Sequence, residues 1–194
     1  HRMGEIVRFM ILASHYRSPL NFSENSLKNA QASLTRLYLA LDKVGVSAIN
    51  NDAWQESDYW KSFHTAMTDD FNTPDAISVL FNLARELNRM ADSGQMEGAR
   101  KLCGQLITLA GVLGLLYQDP ETFLKGFGGP EEPASLLKAE WIEQQIHERS
   151  VAREQGDWQR ADQIRRDLSD RGVVLEDRSD GTTSWRSERI YTSE

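Results

Sequence analysis

The sequence predicts a mainly α protein: an antiparallel helical bundle followed by a small α/β domain of two helices and a β-hairpin. Three observations carry that expectation. Apolar residues recur at helical spacing through most of the first 125 positions, most regularly at Ile77, Leu80, Phe81, Ala84, Leu87 and Ala91, and a face of that kind has to be buried against other helices. Gly126–Pro133 then holds three glycines and two prolines in eight residues, which opposes both helix and strand and marks a linker. Beyond it, two helical patterns precede two short strand-forming runs joined by a loop that ends in glycine. The chain therefore divides into 1–22, 23–125, 126–133 and 134–194.

Taken in order, Ile6, Val7, Phe9, Met10, Leu12 and Ala13 form a nearly all-apolar helical segment that wants cover on more than one side. A polar and aromatic connection, Ser14–Phe22, follows. Ser23 is placed as an N-cap, with Phe22 and Leu27 spaced as a hydrophobic staple. Leu27, Ala30, Leu34, Leu37, Tyr38 and Leu41 define one helical face to about Val44. Gly45–Asn51 reads as loop, and a helix carrying Trp54, Trp60, Phe63 and Met67 is expected over Asp52–Thr68. The turn Asp69-Asp-Phe-Asn-Thr-Pro74 launches the central helix, with Thr73 as N-cap and Pro74 as the first helical residue, where proline's missing N–H has no intrahelical partner to lose. After Asp92-Ser-Gly94 comes a helix bearing Ala99, Leu102, Leu106, Leu109 and Leu113, stopped by Gly114. Its internal Gly104 and Gly111 lower helix propensity and suggest close approach by a neighbour. Asp119-Pro120 opens a short turn of helix to Lys125.

In the last segment, Leu136–Gln155 is expected to be helical with Leu136, Ala139, Ile142 and Ile146 inward. Gly156 ends it, and Asp157 caps a helix over Trp158–Asp170 with Ala161, Ile164 and Leu168 inward. Val173–Asp177 and Thr182–Arg186 are the strands, joined through Arg178-Ser-Asp-Gly181.

Composition narrows the function. A net charge of −7 and a pI near 5.2 argue against non-specific nucleic-acid binding, although a small site reading RNA through a few residues remains compatible. Cys103 is the sole cysteine and sits in an apolar context, so a buried hydrophobe is expected rather than a reactive thiol or a disulfide. No run of about 18 apolar residues and no secretory leader is present, which predicts a cytoplasmic protein with no membrane partner. The abrupt His1-Arg2-Met3 start, running into an apolar segment, suggests either an appended remnant or a piece of something longer. There is no Gly-rich phosphate loop, no paired-histidine metal motif and no nucleophile elbow. Asp69-Asp70 is a carboxylate pair, but adjacent residues at a helix end do not face each other, and turn or capping chemistry explains them better than a metal.

The better functional signal lies in the last segment. Arg153, Trp158, Asp162, Arg165, Arg166 and Asp177 gather around one helix start and the strand that follows. Trp158 and Asp162 are four apart and share a face that is not the Ala161–Ile164–Leu168 face. An outward tryptophan can stack on an unpaired base. A nearby carboxylate can accept from the Watson–Crick edge of guanine, and an arginine can donate to cytosine or phosphate. On spacing alone, a packing tryptophan among surface ion pairs explains the group better.

Three stretches alter that weighting. His15-Tyr-Arg-Ser-Pro-Leu-Asn-Phe-Ser23, Ala66-Met-Thr-Asp-Asp-Phe-Asn-Thr-Pro74 with its helix, and Gly172-Val-Val-Leu-Glu-Asp177 with Gly181-Thr-Thr-Ser-Trp-Arg186 resemble, in order, the C-terminal part of bacterial cysteinyl-tRNA synthetases. The resemblance implies a bundle of the DALR anticodon-binding type followed by a small domain that reads the GCA anticodon. It implies tRNA-Cys as partner, and a stacking role for Trp158 with Arg153, Asp162, Arg165 (or Arg166) and Asp177 as polar RNA-binding residues. It also implies a class I catalytic domain, with ATP and zinc, elsewhere in the same polypeptide, joined through residues 1–22. The His-Ile-Gly-His and Lys-Met-Ser-Lys-Ser signatures of that domain are absent here, so catalysis by this chain is not expected, and a monomer is. The strand reads Thr-Thr-Ser-Trp where many members read Thr-Thr-Trp, leaving Trp185 as core or hairpin packing. A helical scaffold docking a protein partner, or the anticodon-binding half of another class I synthetase such as arginyl, are the alternatives.

Overall fold

A computed structural model describes residues 2–45, 57–125, 139–178 and 181–188. The linker 126–133, residues 46–56 with the Trp54 end of the helix expected over Asp52–Thr68, and Leu136 lie outside the described residues. So do Ser179 and Asp180 of the hairpin loop. The chain forms two compact units, His1–Phe123 and Leu124–Glu194.

The first unit is built from α1 (Arg2–Leu12), α2 (Glu24–Val44), α3 (Asp58–Thr68), α4 (Thr73–Asp92) and α5 (Met96–Val112), closed by the start of α6 (Pro120–Lys125). Helix α4 is central and packs against α1, α2, α3 and α5. Its buried stripe is Ala76, Ile77, Val79, Leu80, Leu83, Ala84 and Leu87, wider than the sequence face, because it meets neighbours on several sides. Phe81 and Ala91 sit at its half-buried margin. Every expected core residue of α2 is buried, and Ser23 caps that helix by accepting from the Ser26 N–H at 3.1 Å. The expected Phe22–Leu27 staple does not cover Phe22, which stays 65% exposed.

The cap of α4 lies one residue earlier than expected. Asn72 is the N-cap: its Oδ1 accepts from the Asp75 N–H at 3.3 Å, and its Nδ2 donates back to Asp75 Oδ2 at 2.8 Å. Thr73 is the first helical residue and Pro74 the second. Before it, Asp69 is the C-cap of α3, while Asp70 (φ 54°) and Phe71 (φ 51°) adopt left-handed backbone. Such strain costs on the order of 1–3 kcal/mol per residue and persists only where surrounding contacts impose it. Here Tyr16 Oη donates to Asp70 Oδ1 at 2.8 Å and Arg17 pairs with the same carboxylate at 3.2 Å. Gly111 has open space around it rather than a neighbouring helix, whereas a side chain at Gly98 would meet Met90 Sδ at 2.8 Å.

One buried polar cluster ties the unit together. Glu5, fully buried, accepts from Tyr38 Oη at 2.9 Å, the Leu116 N–H at 2.6 Å and Gln118 Nε2 at 2.6 Å. Burial first, and then the Glu5 carboxylate, push the Tyr38 phenol far above its ordinary range. The Tyr38 ring stacks on Phe123 at 3.9 Å, and the Arg2 guanidinium lies 5.2 Å from the Phe123 ring centre.

The second unit holds α7 (Ala139–Glu154), α8 (Trp158–Asp170), β1 (Val173–Asp177) and β2 (Thr183–Ser187), one residue later than expected. Its core is Ile142, Ile164, Leu168, Val173, Leu175 and Trp185, with Ala139, Trp141 and Ile146 against it. The strands are antiparallel, with Leu175 opposite Trp185 and Asp177 opposite Thr183. This register points Trp185 inward, where its Nε1–H donates to Glu143 Oε1 at 2.7 Å. Arg186 stands next along the strand and pairs with Glu176.

Candidate nucleic-acid interface

The turn between α7 and α8 sets the site. Gly156 takes a left-handed φ of 74°, which admits glycine without a Cβ penalty, and Asp157 caps α8 by accepting from the Arg160 N–H at 3.0 Å. The Asp157 N–H returns to the Ala152 carbonyl at 2.8 Å, closing the turn tightly. Trp158 is thereby held as the first helical residue of α8. It is 62% exposed, so its ring presents apolar surface to solvent rather than filling the core.

Asp162 and Arg165 follow Trp158 by four and seven residues. Since that spacing keeps them on one side of a helix, the three form an exposed stripe flanking the buried Ala161–Ile164–Leu168 face. Among the described residues, neither the Asp162 nor the Arg165 side chain has a hydrogen-bonding partner. Arg166 instead donates to Gln163 Oε1 at 3.1 Å and lies further round the helix, so Arg165 is the arginine of the Trp158 face.

The second group is held from below. Arg149 and Arg153, one turn apart near the end of α7, both reach the carboxylate of Asp177 at the end of β1. Arg149 is buried, at 7% side-chain exposure, and forks onto Asp177 with Nη1–Oδ1 and Nη2–Oδ2 both at 2.9 Å. Thr183, the cross-strand partner, donates its hydroxyl to Asp177 Oδ1 at 2.8 Å. Arg153 is more distant, with Nη1 3.5 Å from Oδ2 and the side chain 45% exposed. These donors, Arg149 foremost, hold the Asp177 carboxyl far below the usual carboxylate range. Burial opposes the Arg149 charge, but the Asp177 bonds outweigh it and Asp162 adds a smaller raising influence, so the Arg149 guanidinium stays charged.

Of the five residues expected from the sequence, the structure thus joins Arg153 to Asp177 directly and sets Asp162 within electrostatic reach of Arg149. Trp158 and Arg165 join through the shared α8 face, not through a contact with the Arg–Asp cluster. Arg149 was not anticipated. It continues the inward stripe of Ile142 and Ile146, and a cation at an inward position needs a carboxylate, which was the available signal. Chemically, the arrangement offers an exposed aromatic plane, an acceptor one turn away, and guanidinium donors alongside, a combination suited to unpaired bases. Among the described residues no group of three His, Cys, Asp or Glu could hold a metal ion.

Comparison with known proteins fits this division. Residues 62–118, in the first unit, match the DALR domain family. Residues 140–186, from α7 to β2, match the cysteinyl-tRNA ligase anticodon binding domain. The second of these is by description a domain of an aminoacyl-tRNA ligase, and it coincides with the small α/β module. Cysteine–tRNA ligases of Thioalkalivibrio sulfidiphilus, Laribacter hongkongensis and Coxiella burnetii are 52%, 47% and 43% identical over 183, 183 and 184 residues respectively. The chain carries the DALR and cysteinyl-tRNA ligase anticodon binding domains, and nearly all of it is similar to part of cysteine–tRNA ligases. The matches cover 94–95% of this chain but only 37–38% of those relatives' length.

Proposed function

We propose that this chain is the tRNA-binding region of a cysteine–tRNA ligase, and that it anchors tRNA-Cys by its anticodon for ATP-dependent aminoacylation performed by a catalytic domain of the same polypeptide. The observation that carries this is the exposed Trp158–Asp162–Arg165 face beside the Arg153–Asp177 pair, all of it inside the segment that matches an anticodon binding domain. Trp158 stacks on an anticodon base, Asp162 accepts from a base edge, and Arg165 and the Arg153–Asp177 pair complete the polar site. Binding at an end of the tRNA remote from the reaction raises kcat/KM for the correct tRNA, because the energy of recognition is retained in the transition state.

ATP and zinc belong, on this proposal, to the part of the longer enzyme outside this chain, and no residue of the two units is assigned to either. The functional form is a cytoplasmic monomer. No helix among the described residues is long and apolar enough to cross a membrane.

Substitution tests the site. Trp158→Ala and Asp162→Ala each weaken binding of a GCA anticodon stem-loop by about 1–3 kcal/mol, the range for losing one stacked or read base. Filter binding in which both variants equal the wild type removes the assignment. A second reading, docking of a protein partner, draws on an apolar groove of about 360 Å³ lined by Ile11, Leu12, Tyr16 and the exposed Phe71. Under that alternative, RNA binding shows no preference among anticodons.

A further inference from the structure

We infer that Arg149 is the positioning residue of the RNA-reading site: by forking onto Asp177 it fixes the carboxylate that in turn aims Arg153, so that Asp177 acts on RNA through Arg153 rather than as a free acceptor. The inference deepens the proposed function and rests on it.

Hydrogen-bond accounting at Asp177 carries the case. Oδ1 accepts from Arg149 Nη1 at 2.9 Å and from Thr183 Oγ1 at 2.8 Å. Oδ2 accepts from Arg149 Nη2 at 2.9 Å and faces Arg153 Nη1 at 3.5 Å. A carboxylate has about four acceptor sites; three here accept hydrogen bonds from the protein, and Arg153 stands at ion-pair distance beside the fourth. A base amino group approaching Asp177 would have to displace one of them. Arg153, by contrast, commits one nitrogen at long range and keeps the rest of its five N–H donors for a ligand.

Charge accounting agrees. Arg149 and Asp177 neutralise each other in a forked pair that is buried on the arginine side, and a buried arginine stripped of its partner is strongly disfavoured, so the pair is obligate. The charge left facing solvent is that of Arg153, whose side chain is 45% exposed. The three anchors also come from independent elements: Arg149 from the middle of the last turns of α7, Asp177 from the end of β1, and Thr183 from the start of β2. Their convergence fixes the position of the carboxylate relative to the helix that bears Arg153. A flexible arginine on a surface helix would lose rotamer freedom on binding; one already tethered loses less.

Two coupled measurements on the full chain test this. In the absence of RNA, the Asp177 side-chain carbon is followed by NMR during an acid titration. The wild type keeps its charge through the ordinary carboxylate midpoint near pH 3.9. In Arg149→Lys, which preserves the positive charge but cannot fork, the midpoint moves up towards that ordinary value. With GCA stem-loop RNA, Arg149→Lys loses roughly ten-fold in affinity, about as much as Arg153→Ala, and the double variant is no weaker than Arg153→Ala alone, as expected when one residue acts through the other. Preference at the anticodon base most sensitive to Arg153 falls in Arg149→Lys as well, which a loss of stability alone would not produce. Equal RNA binding and base preference in Arg149→Lys and wild type overturns the inference, as does a double variant whose losses multiply. If the wild type itself shows no anticodon preference, the proposed function falls and this inference falls with it, whatever the titration shows.

Discussion

At the scale of single residues, the exposed side chains proposed to bind are distinct from the buried ones that hold the fold. Trp158 is exposed and has no core to lose, so its replacement is expected to spare stability while weakening RNA binding. Glu5 is the opposite. Glu5→Ala leaves Tyr38, Leu116 and Gln118 with buried donors and no acceptor, and is expected to cost about 3–5 kcal/mol, read by urea unfolding of the full chain. Retention of wild-type stability would contradict the role given to that cluster. Cys103 is fully buried, and burial pushes its thiol up to about 11. Thiol reagents at pH 8 should therefore label the native protein far more slowly than the urea-unfolded chain. Asp177 gives the pH dependence a sign. Its carboxyl is depressed in the folded state, so the stability it contributes is complete above its unfolded midpoint, about pH 3.9, and is lost as pH falls below that towards the folded value. Acid unfolding of the second unit should be less steep below pH 4 in Asp177→Asn than in wild type.

At the scale of elements, period and punctuation were legible and partners were not. The faces of α2 and α8 follow directly from residues three and four apart, and Gly114, Gly156 and Gly172 mark helix ends with left-handed backbone. The sequence pattern points to a cap of α4 one residue late, because Asn72 and Thr73 are both capping types and the Thr-Pro pair marks the later boundary. The deciding contact is Asn72 with Asp75, and Asn72→Ala should destabilise the bundle by about 1 kcal/mol, whereas Thr73→Ala should cost less, both measured by denaturant midpoint. The strand register, undetermined from Thr182-Thr-Ser-Trp185, follows once Trp185 is placed opposite Leu175 in the core. Arg149 is not marked by local sequence, because its partner lies 28 residues away on a strand and no local spacing encodes that pairing. The left-handed Asp70 and Phe71 were equally hidden, since nothing in a Phe residue announces a positive φ.

At the scale of the whole chain, two units divide the work. The first is a helical bundle whose strongest sequence feature, the Asp69–Pro74 turn and α4, is scaffold. The second is small, and its exposed stripe and Arg–Asp cluster carry the RNA chemistry proposed here. On the proposed function, a chain with net charge −7 recognises RNA through a few placed groups and not through a general basic field. It also fits a chain that spans 38% of the relatives' length and matches their anticodon-binding part. The most direct test is to measure binding of the full chain to stem-loops that differ from GCA by one anticodon base at a time, at a fixed moderate salt concentration. Tighter binding of GCA than of the single-base variants, by about 1–3 kcal/mol at the positions read, is the expected result. Equal binding across all of them would contradict the assignment of Trp158 and its neighbours to anticodon reading.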